Sequence, residues 1–242
     1  MIEILFFLSA FLAGVLGTIA GFGSSTIFLP LALFFVDFKT ALTLVACFHV
    51  FGNLSRMTLF RQGMDRKLIL LFGIPSVILT IVGAFLVNSI TQSLLKFILG
   101  LFLFAFSILS MVKLGFKARP SNSNVIIGGS MSGFLAGLIG TGGALRGAFL
   151  TAFSLPKEVY IATSAAIALV VDITRIPIYL TSGFLEQQWY WYLPIMAVIA
   201  VLSSYIGKKI VDKIPQQSFK KGVLLMILGI SIKFLYDGLS TF

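Results

Sequence analysis

The 242 residues are 58% hydrophobic and only 11% charged, with a formal net charge of +10. A soluble domain carries about 25% charged residues, so this chain cannot cover a water-facing surface, and lipid must be part of its solvent. The basic balance does not indicate nucleic acid, because Lys and Arg gather in short loops between apolar stretches, where the positive-inside bias puts them.

The N-terminus, Met1-Ile2-Glu3, has no basic n-region and runs into apolar sequence well past Gly21. It is therefore expected to stay in the mature protein rather than be cleaved as a signal peptide. An apolar stretch from about Ile4 to Val36 is broken near Thr18–Ser25. Three spans of membrane-crossing length follow, at about Thr40–Phe60, Lys67–Val87 and Leu94–Val112. A polar linker runs from Lys113 to Asn124 and contains Lys117, Arg119 and Pro120. The second half repeats the scheme: a broken stretch at about Val125–Leu155, then spans at about Glu158–Leu180, Trp189–Ile210 and Phe219–Leu239. No gap is long enough for a soluble domain. The single Cys47 lies in an apolar run and excludes a disulfide framework within one chain.

The halves also share letters. Phe11-Leu12-Ala13-Gly14-Val15-Leu16-Gly17-Thr18 matches Phe134-Leu135-Ala136-Gly137-Leu138-Ile139-Gly140-Thr141 at six of eight positions, just before a glycine-rich break in each case. This reads as an internal duplication. The loops around Arg61–Lys67, Lys113–Arg119 and Lys208–Lys221 are basic, whereas those near Asp37–Lys39, Asn88–Gln92 and Ser182–Gln188 are neutral or acidic. The first three belong in the cytoplasm. Trp189-Tyr190-Trp191-Tyr192 lies beside the last of the others, where an outer aromatic belt would sit. This sidedness holds only if each broken stretch enters and returns on one face. The expected fold is an all-α integral membrane protein of two inverted-topology repeats, each a broken or re-entrant helical hairpin plus three transmembrane helices. The repeats are 1–112 and 125–242, joined by a cytoplasmic linker at 113–124. The expected location is the inner or plasma membrane, with both termini outside.

The chemistry concentrates at the breaks. Irregular backbone at membrane depth survives only where protein buries it or a wet cavity adjoins it, and helix N-termini attract anions. Gly21, Gly23, Ser24 and Ser25 from the first break, and Thr141, Gly142, Gly143 and Arg146 from the second, form a candidate site for a small anion. The alternative is tight helix packing through small residues. Arg56, Arg146 and Arg175 fall inside apolar segments, where a charge is costly and is a functional candidate by default. Arg146 is the sharpest of the three, because its forked donors suit an oxyanion. Arg175 stands one helical turn after Asp172. The two either neutralise each other, or Asp172 carries a proton while substrate competes for Arg175. His49, Asn53 and Arg56 form a polar stripe, with His49 a proton-coupling candidate or a packing residue, Asn53 a substrate contact, and Arg56 either a ligand or a snorkelling side chain. One histidine and one cysteine make no metal site. The sequence has no nucleotide-binding P-loop and no HExxH or GxSxG motif, so no cofactor is expected and the standard hydrolase mechanisms lack support.

The glycine-rich break opening each half, the Leu29-Pro30 after the first, and the two-repeat length resemble the TauE/SafE sulfite exporter family. The family's pattern is a Gly-x-Gly-Gly-Gly run, then apolar residues and a Pro. Here the copies read Gly21-Phe22-Gly23-Ser24-Ser25 and Gly140-Thr141-Gly142-Gly143-Ala144, with Leu150-Thr151 where a second Pro would stand. The resemblance implies a carrier of sulfite, sulfoacetate or a similar small sulfur-containing anion, generally outward. An anion channel of the same architecture, or a membrane-embedded subunit of a larger complex, are the alternatives. The expected partners are a small anionic substrate and the lipid bilayer, with no nucleic acid; a homo-oligomer is compatible with the sequence.

Overall fold

The computed structural model describes residues 2–20, 23–60, 63–112, 120–211 and 216–239, with side chains described for all of these except 20, 152, 211 and 216–222. Among the described residues every regular element is a helix. They are α1 (Ile2–Ala20), α2 (Ser25–Ala32), α3 (Phe38–Leu59), α4 (Arg66–Leu86), α5 (Gln92–Met111), α6 (Asn122–Ile139), α7 (Gly143–Leu150), α8 (Lys157–Thr181), α9 (Tyr192–Val211) and α10 (Gln216–Leu239), with short 3-10 turns after α4 and α7 and before α9. Among the described residues, six stretches are long and apolar enough to cross a membrane: Ile2–Ile19, Phe38–Leu59, Arg66–Ser89, Gln92–Met111, Lys157–Thr181 and Gln187–Ile210. Leu70, Ile74, Ile78 and Phe85 of α4, and Val198, Val201 and Leu202 of α9, stand exposed on outer faces, a surface that only lipid can solvate.

Local chemistry sets the helix ends. Asp37, Asp65, Thr91 and Ser121 cap α3, α4, α5 and α6 by accepting the N–H groups of Thr40, Leu68, Leu94 and Asn124 respectively. Gly140, at φ +71°, ends α6 in the left-handed conformation that glycine adopts at little cost. The second break is shorter than the sequence suggested. Helix resumes at Gly143, so Arg146 lies inside α7 rather than on a loop. Only Gly140 carries the helix-stopping backbone, and Ala144, Leu145 and Arg146 are strong helix formers.

Each broken stretch folds back on itself, α2 against α1 and α7 against α6. The arms are unequal. The 19 residues of α1 reach about 28 Å and the eight of α2 about 12 Å, at ~1.5 Å per residue. The most extensive helix pairing is α4 with α6. Gly129, Gly133 and Gly137 line one face of α6, and a Cβ on each would lie 2.1–2.4 Å from the backbone oxygens of Ser76, Phe72 and Thr80. Ser76 and Thr80 donate their hydroxyls to the Gly129 and Gly133 carbonyls at 2.8 and 2.9 Å. The two backbones therefore touch along this seam.

Contacts sort the helix ends into two groups. Phe6 near the start of α1 meets Phe35 after α2 and Tyr192 at the start of α9. On the same side, Phe38 donates its N–H to Gln92, Thr40 its hydroxyl to the Phe184 carbonyl, and Asn88 its amide to Ser182. At the other end, the Asp65 N–H bonds Thr163, Lys208 reaches the Leu59 carbonyl, and Leu68, Phe72, Val125, Phe149 and Leu150 form one apolar cluster. The α1–α2 hairpin thus opens among the first group, and the α6–α7 hairpin among the second. Packing partners correspond between halves as well: α1 lies on α9 as α6 lies on α4, α3 on α9 as α8 on α4, and α3 on α8 and α5 on α10 across the middle.

Candidate functional site

Where α3 and α8 pack together, both carry polar side chains at mid-length, His49 halfway along α3 and Asp172 just past the middle of α8. Asp172 is buried and its two oxygens are fully engaged. Oδ1 accepts from Arg175 Nε at 3.0 Å and Nη2 at 2.7 Å. Oδ2 accepts from His49 Nδ1 at 3.1 Å and Asn53 Nδ2 at 3.2 Å. Asn53 in turn accepts from Arg56 Nη1 on Oδ1 at 2.9 Å, so its neighbours fix which way the amide points. Arg175 also donates from Nη1 to the Ala136 carbonyl at 2.6 Å, and the Tyr179 hydroxyl bonds the Gly137 carbonyl at 2.5 Å. A guanidinium against the last carbonyls of α6 meets the negative end of that helix. For Asp172 and Arg175 the mutual-neutralisation arrangement is the one present.

The hairpin tips arrive at the same depth. The Ser25 backbone N–H, at the start of α2, donates to His49 Nε2 at 3.2 Å. A backbone N–H can only donate, so Nε2 holds a lone pair and Nδ1 holds the proton given to Asp172. The imidazole is therefore neutral in this arrangement. Arg56 Nη2 donates to Ser24 Oγ at 3.1 Å. The two hairpins meet through Thr26 and Thr141, whose hydroxyls lie 2.9 Å apart. Gly23 has φ +88°, and a Cβ there would lie 3.8 Å from both Arg146 Nη2 and His49 Nε2. Glycine is needed for the backbone conformation, and its bare Cα keeps the space between the two side chains open.

Arg146 donates from Nε to Ser164 Oγ at 2.9 Å and is 5% exposed. Arg56 is 6% exposed, and its Nε has no hydrogen-bond partner. Among the described residues neither has a carboxylate within 4.0 Å. Arg175, 1% exposed, is by contrast locked to Asp172. Ser25, His49, Gly140, Gly142, Gly143, Arg146, Asp172 and Arg175 line a common cavity of about 10 Å³, room for about one water. The cavity in this conformation is too small to hold an oxyanion.

The sequence-derived site residues are therefore nearly all within one buried centre. Gly21 lies outside the described residues. Asn53 and Arg175 take part as bonded neighbours of Asp172, with their polar groups engaged in this conformation. Arg56 does not snorkel to an interface; it turns inward to Ser24. Thr26, Ser164 and Tyr179 were not anticipated. Tyr179 was within reach, since it continues the Asp172–Arg175 stripe one turn further along α8, whereas Ser164 and Thr26 carry no signal beyond a hydroxyl in an apolar helix. Among the described residues no group of three His, Cys, Asp or Glu side chains gathers to hold a metal ion.

A curated protein of Methanocaldococcus jannaschii, described as a probable membrane transporter protein, is 30% identical over 244 residues, covering 91% of this chain and 90% of the relative. No solved structure matches significantly. The model of the family described as sulfite exporter TauE/SafE matches residues 6–234. Nearly the whole chain is thus covered, and this multi-pass helical membrane protein belongs to the sulfite exporter TauE/SafE family.

Proposed function

We propose that the chain is a secondary transporter of a small anion, a sulfur-containing oxyanion or organosulfonate such as sulfite or sulfoacetate, bound between the two hairpin tips and moved by alternating access. The observation that carries this reading is the pair of buried guanidiniums, Arg56 and Arg146, which lack carboxylate partners among the described residues and border Ser24 and Gly23 at one tip. Uncompensated buried charges cost several kcal/mol each, and an anion between them offsets that cost. The family and its relative are named for transport rather than catalysis.

Two inverted repeats, 1–112 and 125–242 about the linker 113–124, form the scaffold in this reading. Its support is the opening of the hairpins among opposite groups of helix ends and the exchange of packing partners between halves. Loop charge favours a cytoplasmic linker and outer termini in a plasma or inner membrane. The closed cavity favours a carrier that opens and shuts over a standing pore. His49 and Asp172 are the coupling groups in this scheme. A proton on Nε2 would turn an acceptor of the Ser25 N–H into a donor, releasing the tip and adding positive charge beside the anion. Purified protein in liposomes tests the reading. Saturable uptake of labelled sulfite or sulfoacetate, without other proteins, is expected. Absence of flux, or a conductance that never saturates, would overturn it.

A further inference from the structure

The buried centre contains an imbalance of charge. Asp172 supplies one negative charge, and Arg175 holds it through two nitrogens. His49 is neutral, because the Ser25 N–H occupies the lone pair on Nε2. Arg56 and Arg146 then remain, each more than nine-tenths buried, with no carboxylate within 4.0 Å among the described residues. One negative charge against three positive ones leaves the centre at +2. The two surplus charges are adjacent. Arg56 Nη2 is on Ser24 Oγ, and Arg146 Nη2 faces the neighbouring Gly23. Arg146 and Asp172 are the charged groups that act on Arg56, and Asp172 is already saturated. Arg56 also has an unused donor, since its Nε is buried without a partner. Gly52, one turn earlier on α3, leaves it room: a Cβ there would come 3.2 Å from Arg56 Nη2.

Resting on the transport reading above, we infer that Arg56 is a second anion ligand beside Arg146, and that the site selects anions of charge −2 over those of charge −1. A monoanion would leave one guanidinium buried and unpaired. A dianion neutralises both, and satisfies the orphaned Nε once the tip moves aside. Arg56 is thereby a specificity-determining residue: it counts the charge of the ligand, while Ser24 and Asn53 hold its fork in place.

The test compares ligands of similar chemistry and different charge. Binding of sulfoacetate and methanesulfonate, and of malonate and acetate, is measured by calorimetry on the purified full-length protein near neutral pH. The wild type is expected to favour each dianion by at least roughly tenfold, the scale of one close charge pair. Arg56→Gln should erase that preference, its loss of dianion affinity exceeding its loss of monoanion affinity by at least roughly tenfold. Arg56→Lys, which keeps the charge but loses the fork, should restore part of the preference. Folding is checked by thermal unfolding without ligand, where Arg56→Gln should be no less stable than the wild type because it removes an unpaired charge. Equal affinity for both charges in the wild type, or an undiminished dianion preference in Arg56→Gln, would overturn the inference and leave the transporter reading standing. Binding of no anion of either charge by the wild type would overturn both.

Discussion

The α8 side of the buried centre and its hairpin side are both buried, and they differ in how their charges are met. On α8, Arg175 grips Asp172 and the final carbonyls of α6, so every charge has a partner and the cluster ties two helices together. At the hairpins, Arg56 and Arg146 have hydroxyl and amide neighbours but no carboxylate among the described residues. A paired buried charge stabilises a fold only while both partners remain; an unpaired one is a standing cost that a ligand removes. Burial alone would have grouped the three arginines together. Their partners set Arg175 apart from Arg56 and Arg146.

That contrast gives opposite signs to apparently similar substitutions. The largest expected effect is on the paired side. Asp172→Asn strands Arg175 and should lower stability by about 3–5 kcal/mol, read as a fall in unfolding temperature of the purified protein. Adding Arg175→Gln to it should recover part of the loss; a strictly additive double variant would show that the two are not coupled. On the hairpin side, Arg146→Gln should leave unliganded stability unchanged or raised, and weaken anion binding by ~30-fold or more, the lower end of about 2–5 kcal/mol for a truncated charge pair. Arg146→Lys should fall between, because a point charge replaces a fork.

Smaller effects sharpen the comparison. Gly23→Ala places a side chain where φ is +88° and where a Cβ lies 3.8 Å from Arg146 and His49. Strain of about 1–2 kcal/mol should appear in the unfolding curve, with a further loss of anion affinity that strain alone does not produce. His49→Gln retains an amide donor toward Asp172 and an oxygen toward Ser25, so binding at neutral pH should change only a few-fold. Wild-type binding of sulfoacetate, which stays a dianion near neutral pH, should tighten as pH falls, because a proton on His49 adds positive charge beside the anion. The Gln variant should lose that dependence. Retention of the full pH profile in the variant would take His49 out of the coupling scheme.

Much of the frame was legible because membrane helices announce themselves by apolar length. The expected span Lys67–Val87 became Arg66–Leu86, and Glu158–Leu180 became Lys157–Thr181. The glycine breaks were legible because Gly23 and Gly140 adopt backbone conformations that other residues avoid. The stripe His49–Asn53–Arg56 followed from helical spacing. Its partners did not, because nothing in a single sequence says that Asn53 meets Asp172 across a separation of 119 residues. Arg56 was left open between a ligand and a snorkelling side chain for a related reason. Its position near the end of α3 allowed an interface, and only the fold shows the α1–α2 hairpin bringing Ser24 to it. The seam of Gly129, Gly133 and Gly137 on α6 was visible as a four-residue spacing, yet only the fold shows α4 filling it.

The central claim is that the hairpin-side arginines form an anion site and do not hold the fold together. The most direct measurement is the thermal unfolding of the purified double variant, Arg56→Gln with Arg146→Gln, titrated with sulfite and with sulfoacetate alongside the wild type. The wild type should gain unfolding temperature with each anion, whereas the double variant should show no shift and an unliganded stability equal to or above that of the wild type. A double variant that unfolds early yet still responds to anion would contradict the account, because the two arginines would then be structural and the site would lie elsewhere.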